Sequence, residues 1–200
     1  MRTPDQSDAP DQPVAPDRPD APDLLVPPDT ERLRFRPMAP GDLDAMAALL
    51  GDPVVMRHYP RPKDRAGAEA WIAWNRRLYA ERGHGLWVVE LRATGEFVGD
   101  CGLTPQRVEG VTEIEVGYHV RADLQRRGYA SEAAAACRDL ARDALGVDRL
   151  IAIIHPDNVP SQRVAEKIGL SHERDVVFAG DRPARIYSVG FRSAGPVPAT

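Results

Sequence analysis

Gln125-Arg126-Arg127-Gly128-Tyr129-Ala130 lies between an alternating, strand-like run at 112–120 and an alanine-rich helical run at 128–144. A strand, a short Gly- and Arg-bearing loop and a helix start together make a cradle for phosphates. The first N–H groups of a helix have no intrahelical partner, and the helix dipole adds partial positive charge there. Gly128 permits a positive φ or a close approach of ligand to backbone, and the arginines add mobile charge. The stretch therefore points to a phosphorylated small molecule as ligand.

On the N-terminal side of the cradle, three strands are expected at 86–91, 97–103 and 112–120. Thr94-Gly95 turns the first into the second, and Glu109-Gly110 precedes the third, which together make an antiparallel meander. Further upstream, Leu33 and Phe35 alternate with Arg32, Arg34 and Arg36, the pattern of a half-buried strand. Asp42 opens a helical run through Leu43, Met46, Ala47, Leu49 and Leu50, closed by Gly51. A Pro-punctuated loop holding His58, Tyr59 and Pro60 leads to a helix at 66–82, with Trp71, Trp74, Leu78 and Tyr79 on one stripe.

On the C-terminal side, the apolar run 150–154 reads as a strand buried on both faces. Asn158 caps a short helix that runs to Ile168 and ends at Gly169 in a left-handed cap. Strands near 176–178 and 186–191 follow. The order β-α-α-β-β-β-α-β-α-β-β predicts an α+β fold, a mixed sheet with helices on both faces.

Composition narrows the function classes. Net charge is −4, but residues 1–30 hold seven Asp against Arg2 and Arg18, and the remainder is nearly neutral. A domain without a basic field, its arginines interleaved with acids, is not expected to bind nucleic acid. No apolar run approaches the ~20 residues of a membrane span, and no signal pattern opens the chain. A cytoplasmic location follows, with Cys101 and Cys137 read as two buried thiols and a disulfide as the alternative. Five scattered histidines lack ligand spacing, so no metal is expected. The excess of arginine over lysine carries no mechanistic weight.

Residues 1–30 carry eight of the nineteen prolines and almost nothing apolar before Leu24, and a Pro-Asp pair recurs every six residues from Pro4 to Pro28. Such a segment cannot build a core and is expected to be a disordered tail, with docking to a partner as the alternative. The folded domain is expected over 31–192 and a flexible tail over 193–200.

Several blocks together carry a resemblance: Glu115-Val116-Gly117-Tyr118, then Gln125 to Glu132, then Asn158-Val159-Pro160-Ser161 and Glu166-Lys167-Ile168-Gly169-Leu170. Over roughly 31–192 the chain resembles the GNAT superfamily, and within it the ribosomal-protein N-terminal acetyltransferase-like branch. The resemblance implies a mostly antiparallel sheet in which the fourth and fifth strands run parallel and splay apart. It implies acetyl-CoA as co-substrate, its pyrophosphate held by the amides of 126–130 with Gln125, Arg126, Arg127, Gly128, Tyr129 and Ala130. The backbone of Tyr118, His119 and Val120 would pair with the pantetheine arm, and Asn158 would bond one of its amides. Gly117 independently suggests a bulge or close backbone approach.

The implied activity is direct transfer of the acetyl group to a primary amine, on a small molecule or a protein N-terminus. That chemistry needs a proton acceptor, donors for a developing oxyanion and, ideally, an acid for the thiolate. Glu115 is the expected base, with Glu113 and then Glu90 as fallbacks; all three also fit plain solvated strand carboxylates. Many members of the superfamily carry a tyrosine seven residues after the asparagine. Here that position is Ala165, which leaves Ser161 as either the thiolate's donor, a cofactor contact or a helix-start residue. The acceptor side is expected to be lined by His58, Tyr59, Trp71, Trp74 and Tyr187, although tryptophans at this spacing equally fit core packing. A non-catalytic acyl-CoA-binding module on the same scaffold is the rival expectation, and the final hairpin offers a surface for pairing two subunits.

Overall fold

One seven-stranded sheet organises the chain in a computed structural model that describes residues 22–178 and 180–191. Its strands are β1 (Leu33–Arg36), β2 (Leu86–Leu91), β3 (Phe97–Val108), β4 (Val111–Val120), β5 (Arg149–Ile154), β6 (Ser171–Phe178) and β7 (Arg182–Gly190). The helices are α1 (Leu43–Gly51), α2 (Arg65–Arg82), α3 (Tyr129–Asp143) and α4 (Val159–Lys167). In space the strands follow the order β1-β2-β3-β4-β5-β7-β6, and every neighbouring pair is antiparallel except β4 and β5. The expected element order and fold class hold, with β3, β6 and β7 longer than their apolar patterns suggested.

The β3–β4 hairpin sets the register of the site. Glu109 and Gly110 both take positive φ, 48° and 89°, as a two-residue hairpin turn with matching twist requires. From Val108↔Val111 the ladder then runs unbroken to Asp100↔His119 and Gly99↔Val120. Gly117 sits in that ladder opposite Gly102, so of the two alternatives read there, a bulge or a close backbone approach, the bulge is absent. The register shifts fall instead between Val89 and Glu90 and between His172 and Arg174. Gly99 and Gly102 are the crowded positions of β3: a Cβ would lie 2.0 Å from the His119 carbonyl oxygen at the first and 2.1 Å from the Gly85 carbonyl oxygen at the second.

Successive strand residues face opposite sides of the sheet, so the neighbours Asp100 and Cys101 identify which helices cover which face. On the Asp100 face lies α2: Trp71 Nε1 donates to Asp100 at 3.0 Å, and Asn75 Oδ1 accepts the Leu86 N–H at 2.8 Å. On the Cys101 face lies α3: the free, buried thiols Cys101 and Cys137 are 3.6 Å apart. The main core runs through both layers, with Leu33, Met46, Leu50 and Trp87 among its fully buried side chains.

Residues 22–30, expected as the end of a tail, lie against the body instead. Leu25 N–H donates to Gly83 O at 2.8 Å, Pro27 is buried, and Thr30 Oγ1 donates to Glu132 at 2.6 Å. The apolar residues that begin at Leu24 give this stretch something to bury. The remainder of the expected tail, residues 1–21, and the expected C-terminal tail at 193–200 lie outside the described residues.

Candidate active site

Parallel pairing of β4 with β5 lasts two positions, Ile114↔Leu150 and Glu115↔Ile151. Beyond them β4 continues to Val120 and β5 to Ile154, each bonded only to its other neighbour. The two strands part at Glu115. Its Oε1 accepts the Ile153 N–H at 3.3 Å, so a side chain holds a backbone donor that the diverging strand has released. Burial pushes the Glu115 carboxyl up to about 7, with the bond from Ile153 and the side chains of Gln106 and Thr104 pulling the other way.

The loop at 125–128 is shaped by backbone torsions that few residues accept. Arg126 has φ 62°, and Gly128, the residue capping α3, has φ 86°. No side chain caps this helix, and its first backbone bond runs from Glu132 N–H to Gly128 O. The amides of Tyr129, Ala130 and Ser131 are thus left at the helix start for a ligand. Gln125 Nε2 donates to Val120 O at 3.1 Å, and Arg127 Nη2 to Asp123 O at 3.2 Å, so both side chains brace the loop.

Arg32 was read only as a strand residue, yet it borders the cradle. It donates to Arg127 O at 3.0 Å and to Glu132 at 2.7 Å, and its guanidinium sits 4.7 Å from the centre of the Tyr129 ring. Burial favours the neutral form of Glu132, but Thr30 and Arg32 outweigh it and hold the carboxyl below its usual range. Arg32 thereby compensates a negative charge in the first turn that would oppose an anion.

Tyr118 and Val120 face the α3 and α4 side of the sheet, whereas Glu115, Gly117 and His119 face the α2 side. Tyr118 OH donates to Ser161 O at 2.9 Å, and Asn158 Oδ1 accepts the Ser161 N–H at 3.3 Å, capping α4. Both Asn158 and Ser161 therefore stand at the α4 start beside the splay. Ala165 is fully buried one turn further on.

On the opposite face a chain of hydrogen bonds joins three elements. Asp100 Oδ1 accepts the His119 N–H at 3.1 Å and lies 2.7 Å from His119 Nδ1; His119 Nε2 lies 2.9 Å from Tyr59 OH. Burial raises the Tyr59 phenol above its usual range, and the charges of Glu115 and Asp100 push the same way. His58, next to it, stacks on His155 with ring centres 5.6 Å apart, and burial lowers its imidazole. The α1–α2 loop thus spans the splay, touching β4 through Tyr59 and the end of β5 through His58. Trp71 packs at 5.1 Å from Trp74 and 6.0 Å from His119.

Two expectations change. Tyr187 lies opposite Ala152, on the α3 and α4 side, buried with its hydroxyl 3.3 Å from Gln162; strand alternation puts it on the opposite face from Trp71 and the His119 ring. Glu113 is tied to Arg149 at 2.7 Å, and Glu90 is held by Arg34 and Arg36 at 2.6 and 2.8 Å, so neither fallback base is free. His119, of which only the backbone was expected to meet a cofactor, sends its ring to the α2 face. Asp100 was missed altogether, although a lone acid in an apolar strand is a signal that a partner must exist. Among the described residues, no group of three or more His, Cys, Asp or Glu could hold a metal ion, and no helix is long and apolar enough to cross a membrane.

A profile of the acetyltransferase (GNAT) domain matches residues 32–171. The uncharacterised protein YkkB of Bacillus subtilis is 39% identical over 159 residues, spanning 79% of this chain and 92% of its own. Among solved structures, an acetyltransferase from Agrobacterium tumefaciens superposes with a TM-score of 0.74 at 26% identity, covering 87% of this chain and 99% of its own. The ribosomal-protein α-N-acetyltransferase RimL, in its coenzyme A complex, shares the fold with a TM-score of 0.68 at 16% identity, over 83% of this chain and 98% of its own.

Proposed function

This chain belongs to the GNAT acetyltransferase family, and from that premise we propose that it transfers the acetyl group of acetyl-CoA directly to a primary amine. The observation that carries this is the position of Glu115: a carboxyl poised near neutrality, at the point where β4 and β5 part. A general base works best when its pKa lies near the working pH.

On this proposal the amides at the α3 start and the arginines at 126 and 127 take the pyrophosphate. The β4 edge at Tyr118, His119 and Val120 takes the pantetheine arm as an added strand, with Asn158 bonding one of its amides. Unpaired amides and two cations on one side, and a free strand edge leading inward, fit an elongated anionic ligand. The thioester would then stand near the splay, with Glu115 on the acceptor face and Ser161 near the sulfur. Glu115 deprotonates the incoming ammonium, directly or through water. Ser161 donates to the leaving sulfur, because the position that would hold a tyrosine is the buried Ala165.

His58, Tyr59 and Trp74 form the acceptor's surroundings. The acceptor is an amine of a small molecule or of a protein N-terminus, and free-thiol release over a panel of both kinds would identify it. Isothermal titration with acetyl-CoA is the direct test of the donor: binding is expected, and none at millimolar ligand would overturn the proposal. Binding without thiol release across the panel would favour a non-catalytic acyl-CoA-binding module. Pairing of two subunits would use the free edge of β6, and sedimentation at two concentrations tests it.

A further inference from the structure

Asp100 and His119 are buried, 1% and 7% exposed, in the middle of a sheet whose other residues there are small or apolar. A carboxylate in such a place is costly unless donors surround it. Asp100 has three: the His119 N–H and His119 Nδ1 on one oxygen, and Trp71 Nε1 on the other. The carboxylate is the accepting end of this arrangement, so His119 Nδ1 carries the proton. That fixes the tautomer and makes Nε2 the acceptor of the Tyr59 hydroxyl proton. With its own proton committed inward, the Tyr59 oxygen keeps lone pairs to spare; the residue as a whole is 43% exposed, although its phenol lies buried beside His119.

We propose that Tyr59, His119 and Asp100 form a proton relay for the acceptor nitrogen, acting beside Glu115. The proposal rests on the acetyltransferase function. A primary amine arrives as an ammonium and leaves as an amide, so the nitrogen gives up two protons. Glu115 takes the first. As the C–N bond forms and the C–S bond breaks, its electron pair going to sulfur, the second proton passes to the Tyr59 oxygen. The Tyr59 hydroxyl proton moves in the same step to His119 Nε2, and Asp100 stabilises the imidazolium that results. One of the two protons returns through solvent to the sulfur, which Ser161 holds by a hydrogen bond meanwhile, and the other is released. Raised by burial, the Tyr59 phenol does not ionise alone and works by handing its proton on. The other charged groups bearing on the chain are Glu115 from β4, Arg182 from β7 and Lys63, which lies 5.3 Å from the Trp71 ring centre. Tyr59 and His119 are the catalytic members, and Asp100 is a positioning residue.

The test has two arms. In the first, thiol release is followed with the panel of alkylamines, arylalkylamines and peptide amines, for the wild type, Tyr59→Phe, His119→Gln and Asp100→Asn. Tyr59→Phe, which removes a single oxygen, should lower kcat about 10²-fold. Acetyl-CoA affinity by titration should stay within about twofold, and Tyr59→Phe combined with His119→Gln should be no worse than the poorer single variant. A Tyr59→Phe kcat within about threefold of wild type overturns the relay. The second arm needs no acceptor: ¹⁵N NMR of the imidazoles should show His119 protonated at Nδ1, with an Nε2 resonance that shifts in Tyr59→Phe and a tautomer preference that weakens in Asp100→Asn. A proton on Nε2 in the neutral wild type overturns the relay even if acetyl-CoA binds. Failure of acetyl-CoA to bind, with the NMR result intact, would instead remove the acetyltransferase function and leave the hydrogen-bond chain standing.

Discussion

Glu115 meets one demand in the fold, closing the released Ile153 amide, and a second on the proposed function, taking the acceptor's proton. The first keeps it inside the sheet; the second follows, because burial lifts its pKa to about 7. Below that pH it is protonated and cannot act as a base, so kcat/KM should rise through about pH 7 and then level off. Glu115→Gln should erase that limb and lower kcat by about 10²–10⁴-fold, read from pH-rate profiles. Stability has a sign of its own. The folded carboxyl holds a proton that the unfolded chain has already released above its ordinary pKa of 4.5. Folding stability from this group therefore falls as pH rises from about 4.5 to about 7, then stays flat. Urea titrations at pH 5 and pH 8 should show that drop in the wild type and lose it in Glu115→Gln. Glu115 was legible in the sequence because a strand's alternation names a face. Asp100 was equally within reach: counting back from the Glu109-Gly110 turn places it opposite His119. What alternation could not supply was the third partner, because Tyr59 arrives from a loop forty-one residues upstream of Asp100.

Between elements, the start of α3 and the edge at β1 show how charge is distributed around the cradle. Gly128 has φ 86°, and a Cβ there would lie 3.2 Å from Arg32 Nη2. Gly128→Ala should cost about 1 kcal/mol of backbone strain and keep most acetyl-CoA affinity. Gly128→Glu adds a carboxylate where a pyrophosphate would sit, and should lower affinity by more than 10²-fold; titration of the two variants separates strain from charge. At the other end of β1, Arg34 and Arg36 clasp Glu90, and Arg36 also pairs with Asp42. Burial pushes both carboxyls up, but the arginines more than offset it and hold them below their usual range. Because the arginines are 49% and 36% exposed, Glu90→Gln should cost only about 2 kcal/mol in urea unfolding at pH 7. That gap should narrow as pH falls from 4.5 and close once pH passes the lowered pKa of the folded carboxyl, where the stability it contributed is lost. The alternating arginines were visible as one face of a strand; their acidic partners were not, since the pairing depends on which strand lies alongside.

At the scale of the molecule, β4 is a partition: α3 and α4 bring the cradle and Asn158 to one face, and α2 with its preceding loop brings Tyr59 and Trp71 to the other. On the proposed function, donor and acceptor meet where the partition opens, at the end of the two-residue β4–β5 pairing. Element order and the motif blocks were enough to foresee that architecture. They did not assign Tyr187 to a face, because its strand register depends on β5, nor did they reveal that residues 22–30 belong to the body. The latter has a measurable consequence. Thr30 and Arg32 both bond Glu132, so the N-terminal segment supports the helix whose start forms the cradle. A chain beginning at residue 31 loses the Leu25–Gly83 bond, buried Pro27 and the Thr30 contacts, whereas one beginning at residue 22 keeps them. Loss of that apolar contact should cost roughly 2–3 kcal/mol. For a domain of this size the Tm should then fall by roughly 5–10 °C between the two chains. Acetyl-CoA affinity should weaken as well, because Glu132, deprived of one donor, draws more heavily on the Arg32 charge that faces the cradle. Equal Tm and equal affinity in the two chains would show that the domain is complete without residues 22–30.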